Sequence, residues 1–202
     1  FAYMKGVAPF IGISAPDRRK FLRAAWATLH EPTSNQLGRA ALALMRLPQR
    51  EYHYAAYDLI ERYIKFADAK FLSTFGEQLL TTTPWWDSVD GLVTEAVSPL
   101  CRRYDHDELI DAWSASDNIW LIRSAIGHQR GWKRDTDIGR VLELCDRHWA
   151  AKEFFIAKAI GWALRDLARL EPSAVRLFLA AHPSTNRVAI REAERGLATA
   201  KR

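Results

Sequence analysis

The 202-residue sequence predicts an all-α fold, a right-handed α-solenoid of helical hairpin repeats with a concave face. Apolar residues recur at helical spacing through most of the chain, and no segment alternates like a strand between hairpin turns. Capping residues and prolines mark helix starts at short intervals. A segment rich in aromatic residues also recurs about every 34 residues, which is a typical interval for stacked helical hairpins.

Start signals predict five helices in the first part of the chain. Ser14 is followed three positions later by an acid, which is the pattern of an N-cap. Thr83-Pro84 offers a capping hydroxyl and then proline at the first helical position. The remaining starts are predicted at Ser34, Glu51 and Asp68.

Six further helices are predicted in the second part, where Pro172 and Ser184 mark the last two starts. The predicted ranges are 106–114, 117–130, 137–148, 152–169, 172–181 and 185–199. The loops are short, and no Gly/Ser-rich linker interrupts them. We therefore expect residues 1–202 to form a single domain.

The repeat places chemically distinctive residues on one face. Four helix starts align, at segments 51–54, 84–87, 118–121 and 153–156, and an ordinary helical bundle is the alternative to stacked repeats. If the long helices line the inner surface of the array, the residues about one helical turn beyond these four aligned segments share one groove. The groove would contain two indoles, one carboxylate and two cations: Trp86, Asp90, Arg123, Lys158 and Trp162.

Each of these residues also has a purely structural interpretation. A lone tryptophan is usually core, and Asp90 could be a solvated surface carboxylate. Asp87 lies in a first helical turn, where a carboxylate favours the helix dipole. Arg123 lies in an apolar helix and needs a partner, so it either pairs with a carboxylate such as Asp90 or reaches an anion.

Composition and missing motifs exclude several classes of function. The six histidines do not cluster, and there is no phosphate-binding P-loop, dinucleotide fingerprint or hydrolase nucleophile elbow. Two cysteines without a CxxC pair argue against a zinc site or a disulfide framework and fit a reducing cytosol. A net charge of +5 with 21 Arg and 8 Lys suits phosphate recognition, although such a charge is also common in proteins that never bind nucleic acid.

Six segments, taken in order, resemble the DNA alkylation-repair glycosylases built from HEAT-like repeats, the AlkD family. The most specific are Trp85-Trp86-Asp87 and Lys152-Glu153-Phe154-Phe155. The segments cover residues 3–5, 9–13, 50–52, 85–90, 118–123 and 152–162. The resemblance extends over nearly the whole chain. The family has a further short helix ahead of residues 3–5, which we expect to be missing here.

The resemblance implies a monofunctional glycosylase that excises N3- and N7-alkylated purines from duplex DNA, leaves an abasic site and uses no base-flipping pocket. It makes Asp90 the catalytic carboxylate and Arg123 a DNA contact beside it. Trp86, Trp162 and Tyr3 would cradle the backbone of the lesion nucleotide, and Lys158 would join Arg123 in holding phosphates. We expect no cofactor or metal, a monomer, and a cytoplasmic location of the bacterial type with a nucleoid-associated substrate.

The chemistry of this reaction explains the short list of residues. An N3- or N7-alkylated purine is already cationic, so it leaves without a general acid. Bond cleavage develops oxocarbenium character on the sugar, as in glycoside hydrolysis. Asp90 could stabilise that charge and orient the attacking water. The faces of Trp86 and Trp162 could each add about 0.5–2 kcal/mol of cation–π stabilisation.

Two other functions are compatible with a helical-repeat fold. The first is a noncatalytic protein that binds distorted or branched DNA. The second is a scaffold for protein–protein interaction, which predicts no DNA affinity at low salt and an apolar concave face.

Overall fold

The computed structural model describes residues 6–27, 30–183 and 185–200, and these residues are helical with connecting turns and no strand. The all-α prediction is therefore confirmed. Tyr3 and Ser184, which carried sequence predictions, lie outside the described residues. Within the described ranges, no helix is both long enough and apolar enough to cross a bilayer.

Contacts group the chain into two compact units, Phe1–Asp105 and His106–Arg202. In the first unit α2 packs against α3 and α4, while α3 also packs against α1 and α5. A π-helical turn, Leu72–Gly76, leads into α4, and another, Val93–Val97, joins α5 to α6. The helices of this unit are α1 (Ala15–Trp26), α2 (Ser34–Met45), α3 (Arg50–Tyr63), α4 (Glu77–Thr81), α5 (Trp86–Leu92) and α6 (Ser98–Arg103).

The second unit consists of three helix pairs. Its helices are α7 (Asp107–Ser114), α8 (Ile119–Ile126), α9 (Ile138–Arg147), α10 (Phe154–Leu167), α11 (Pro172–Ala181) and α12 (Arg187–Ala200). α7 packs against α8, α9 against α10, and α11 against α12, while α10 also contacts α8 and α12. This succession of hairpins is consistent with a helical-repeat solenoid. A single domain over residues 1–202 stays a prediction.

Most helix starts follow their local signals. Ser14 caps α1, because its Oγ accepts a hydrogen bond from the backbone N–H of Asp17 at 3.3 Å. Pro172 is the first residue of α11, as predicted. After Asp68, three side chains at helical spacing are buried: Phe71, Phe75 and Leu79.

Several helix ends differ from the prediction, and three of the differences have a clear local cause. The cap of α2 is Thr33, one residue before Ser34, because Thr33 forms a reciprocal capping box with Gln36. Thr83 has a φ of +47° and Trp85 is extended, with a φ of −152° and a ψ of 161°, so α5 begins at Trp86 with Trp85 as its N-cap. α8 ends at Ile126, four residues early, where the poor helix former Gly127 is the C-cap.

Glu51, at the start of α3, holds the segment that precedes α1. Its carboxylate accepts three backbone N–H bonds, from Ile11 at 2.9 Å, Gly12 at 2.8 Å and Ile13 at 3.3 Å. Gly12 has a φ of +93°, which a residue with a side chain rarely adopts. Burial favours a higher pKa for Glu51, but backbone N–H donors, those of Ile11 and Gly12 first, outweigh it and hold the pKa below its usual value.

Replacing Glu51 by Gln should destabilise the protein in a pH-dependent way. Because the pKa of Glu51 is lowered on folding, its stabilising effect is complete above the unfolded value of about 4.5 and is lost as pH falls through the folded value. At neutral pH we expect a cost of about 2 kcal/mol. Urea unfolding at neutral and acidic pH measures it, and a difference that stays constant into acid contradicts the prediction.

Candidate functional site

Trp86 and Asp90 lie one helical turn apart on α5, in the first unit. Trp86 is the first residue of the helix and Asp90 is four positions later, so the two side chains lie on the same face. Both are partly exposed, whereas Val89 between them is buried in the core. The ring and the carboxylate are therefore presented together at the surface of this unit.

A buried arginine fixes the start of α5. Arg50, the first residue of α3, has no exposed surface, and its Nη2 and Nε donate to the two carboxylate oxygens of Asp87, with Nε···Oδ2 at 3.3 Å. Nη2 also donates to Ser88 Oγ at 2.8 Å, and Nη1 donates to the carbonyl of Thr83 at 3.2 Å. One guanidinium thus binds the turn that precedes α5 and the first residues of the helix.

His53 and Tyr54 complete the surroundings of this ion pair. His53 Nε2 donates to the carbonyl of Leu47 at 2.7 Å, so its Nδ1 is the acceptor for Arg50 Nη1 at 2.9 Å. Burial, with a smaller effect from Arg50, lowers the pKa of His53 and keeps the ring neutral. The Tyr54 hydroxyl donates to Asp87, and burial followed by this bond raises the pKa of Tyr54. Asp87 therefore has a more specific role than the helix-dipole effect considered from the sequence.

α3 and α5 approach closely beside Asp90. A Cβ atom on Gly91 would lie 2.5 Å from two ring carbons of Tyr57, so only glycine allows this contact. Burial raises the pKa of Tyr57 to about 12, so the phenol stays protonated at neutral pH. The position of Asp90 relative to α3 therefore depends on the residue that follows it.

In the second unit, Arg123 is held between two helices. It lies on α8 and is only 4% exposed. Its Nη1 donates to the carbonyl of Phe155 in the first turn of α10 at 2.6 Å, and its Cζ lies 5.3 Å from the ring centroid of Trp162. The sequence left a carboxylate or an anion open as the partner of Arg123, and the structure adds a backbone carbonyl and an indole.

Four cations surround the indole of Trp162. The distances from Cζ or Nζ to the ring centroid are 5.1 Å for Arg130, 5.3 Å for Arg123, 5.6 Å for Arg165 and 5.7 Å for Lys158. We call these four residues the cation cluster. Each distance is within the range of a cation–π contact. The ring is therefore placed in a strongly positive environment, which favours an anionic ligand.

Part of this cluster was predicted from the sequence. Arg123 and Lys158 were identified as candidate cations, whereas Arg130 and Arg165 were missed. Arg165 follows Trp162 by three positions on α10, so helical spacing alone places it on the same face. Arg130 lies in the turn after α8, and its seven-residue spacing from Arg123 would have placed it on the same face of the helix predicted over 117–130.

Trp86 and Asp90 belong to one unit, and Arg123, Lys158 and Trp162 belong to the other. The predicted meeting of these five residues in one groove stays a prediction. No group of three or more His, Cys, Asp or Glu side chains able to hold a metal ion occurs among the residues that the structure describes.

Comparison with known proteins identifies relatives of the whole chain. A family model described as "DNA alkylation repair enzyme" matches residues 1–197. A solved structure described as a predicted DNA alkylation repair enzyme from Enterococcus faecalis is similar to this chain, with 26% identity and a TM-score of 0.82. The match covers 98% of this chain and 92% of that chain. No curated protein matches.

Changing Asp87 to Asn should destabilise the first unit, because it leaves the charge of Arg50 buried without its carboxylate. Breaking one half of a buried ion pair costs about 3–5 kcal/mol, and we expect about 3 kcal/mol here. Urea unfolding measures the change. The matched control is Asp117→Asn at an exposed position, which should stay within about 0.5 kcal/mol of wild type. Equal stability of the two variants would contradict the anchoring role of Asp87.

Changing Gly91 to Ala should push Tyr57 and α5 apart, at a cost of about 1–3 kcal/mol. Gly139→Ala on α9 is the control, because the nearest neighbour of its new Cβ is Asp137 Oδ1 at 3.4 Å. That helical glycine should gain about 0.5–1 kcal/mol from the substitution. Thermal unfolding of both variants tests the close approach, and a Gly91→Ala variant as stable as wild type would argue against it.

Proposed function

Because the chain belongs to the DNA alkylation repair enzyme family, we propose that it is a monofunctional DNA glycosylase. In this proposal it hydrolyses the N-glycosidic bond of N3- and N7-alkylated purines in duplex DNA, leaves an abasic site and uses no base-flipping pocket. It acts as a monomer in the cytoplasm, without metal or cofactor. Family membership supports the role in alkylation repair and DNA as the substrate.

The arrangement of α5 is the observation that carries the proposal. The segment from Trp85 to Asp90 contains two carboxylates, and Asp87 is bound by Arg50 and Tyr54. Asp87 therefore maintains the structure of the helix start. Asp90, one turn from the partly exposed Trp86, is the better candidate for the catalytic carboxylate.

The chemistry requires little more than this pair. A cationic alkylated purine departs with the electrons of its bond to C1′, and positive charge develops on the deoxyribose. The carboxylate of Asp90 stabilises that charge and orients the water that adds to C1′. The ring of Trp86 presents its negative face to the same sugar. Unmodified purines are poorer leaving groups and should be spared.

The surroundings of Trp162 support a different task for the second indole. From the sequence, both tryptophans were expected to stabilise positive charge. The cation cluster would repel a developing cation and attract the phosphates of the backbone. In our proposal Trp162 and the cluster hold the DNA backbone, which positions the duplex without reading its sequence.

Changing Asp90 to Asn should lower the single-turnover release of 7-methylguanine from methylated duplex DNA by about 100-fold or more. Binding of undamaged duplex should stay within about twofold of wild type, because Asn keeps the size of the side chain. Asp117→Asn is the control and should release base at the wild-type rate. EDTA should leave all rates unchanged.

Two outcomes of this experiment would overturn the proposal. An equal loss of binding and of base release in Asp90→Asn would remove the catalytic assignment. Tight DNA binding by the wild-type protein without base release would favour a noncatalytic protein that binds distorted or branched DNA, a role that the cation cluster would serve equally well.

A further inference from the structure

A buried glutamate on α12 binds two members of the cation cluster. Glu192 is 3% exposed. Its Oε1 accepts from Lys158 Nζ at 2.9 Å and from Arg195 Nη1 at 3.0 Å, and its Oε2 accepts from Arg165 Nη1 at 3.0 Å. A fully buried carboxylate is rare unless it is paired, and this one is paired with three cations.

Close packing of α10 on α12 brings Glu192 to this place. A Cβ on Gly161 would lie 2.9 Å from the Cβ of Glu192, and a Cβ on Gly196 would lie 2.5 Å from the carbonyl oxygen of Arg165. Both glycines therefore permit backbone distances that a larger residue would prevent. The hydrogen bond from Lys158, ahead of the opposing effect of burial, lowers the pKa of Glu192, so its side chain is ionised at neutral pH.

Lys158, Trp162 and Arg165 occupy one face of α10 at spacings of four and three residues. Lys158 Nζ has three N–H donors and the guanidinium of Arg165 has five, and Glu192 takes one from each. Their side chains are 27% and 29% exposed, so they still reach solvent. Glu192 can thus hold each cation from its buried side, while other N–H donors of the same side chain remain available at the surface.

We propose that Glu192 is a positioning residue for DNA: it fixes Lys158 and Arg165 beside the ring of Trp162, so that ring and cations form one rigid phosphate-binding surface. The inference rests on the proposed function and gives a buried residue of α12 a part in it. Free lysine and arginine side chains sample many rotamers, and this freedom is lost when they bind. With Glu192 in place, part of that ordering is complete before DNA arrives.

The test compares Glu192→Gln with Glu194→Gln, which removes the same charge from an exposed position on α12. In Glu192→Gln, Lys158, Arg165 and Arg195 lose the one negative charge that they share. Its binding to undamaged duplex DNA should therefore depend more steeply on salt, by about one phosphate contact. Its single-turnover release of 7-methylguanine should fall about tenfold, because the cations no longer hold one geometry. Glu194→Gln should match wild type in both measurements.

A steeper slope together with slower release supports the proposal, since a purely structural defect weakens binding and catalysis together. Two results overturn it: identical behaviour of the two variants, or a loss of rate that follows a lower melting temperature without a change in slope. If wild type releases no base, the proposed function fails, and the slope comparison still tests whether Glu192 holds the two cations.

A double-mutant cycle keeps the proposal testable if Glu192→Gln is unstable. Because Glu192 acts through Lys158 and Arg165, adding Glu192→Gln to a Lys158→Gln/Arg165→Gln variant should not slow the release of 7-methylguanine further. A further loss of rate in the triple variant at an unchanged melting temperature would overturn the positioning role.

Discussion

The ion pair between Arg50 and Asp87 determines which side chains α5 exposes at the surface of the first unit. An arginine with no exposed surface is stable only if its donors are satisfied, and Asp87, Ser88 and the Thr83 carbonyl satisfy them. The same contacts fix where α5 begins. The Arg50–Asp87 ion pair therefore sets the positions of Trp86 and Asp90, although neither residue takes part in it.

In the second unit a buried charge again orders its partners, but the signs of the charges are reversed. There the buried group is the carboxylate of Glu192, and the groups that it fixes are cations. In each case one buried charge orders charged partners that are more exposed than itself. The contacts at Gly91, Gly161 and Gly196 allow the helices to approach closely. The indole and the carboxylate on α5 thus form one surface. The indole and the cations on α10 form another surface, of different chemistry, in the same helical-repeat fold.

Local sequence signals were sufficient to predict the helices but not the hydrogen bonds and ion pairs that connect them. Ser14 and Pro172 mark helix starts through contacts within a few residues, so sequence reveals them. Thr83 did not start a helix, because its strained φ accompanies a carbonyl bond to Arg50, which is 33 residues away. The ion pairs Arg50–Asp87 and Lys158–Glu192 span 37 and 34 residues, close to the repeat interval itself. Complementary charges one repeat apart are therefore the signal that could have identified both.

The loop held by Glu51 has a consequence for where DNA can bind. Successive backbone N–H groups that converge on one point form a concavity that suits a phosphate oxygen. Here Ile11, Gly12 and Ile13 form such a concavity, and the protein's own carboxylate already occupies it. A nucleic acid backbone would have to displace an internal anion to use these amides. Because Glu51 already accepts from all three amides, these donors are satisfied within the protein and are not available to a phosphate.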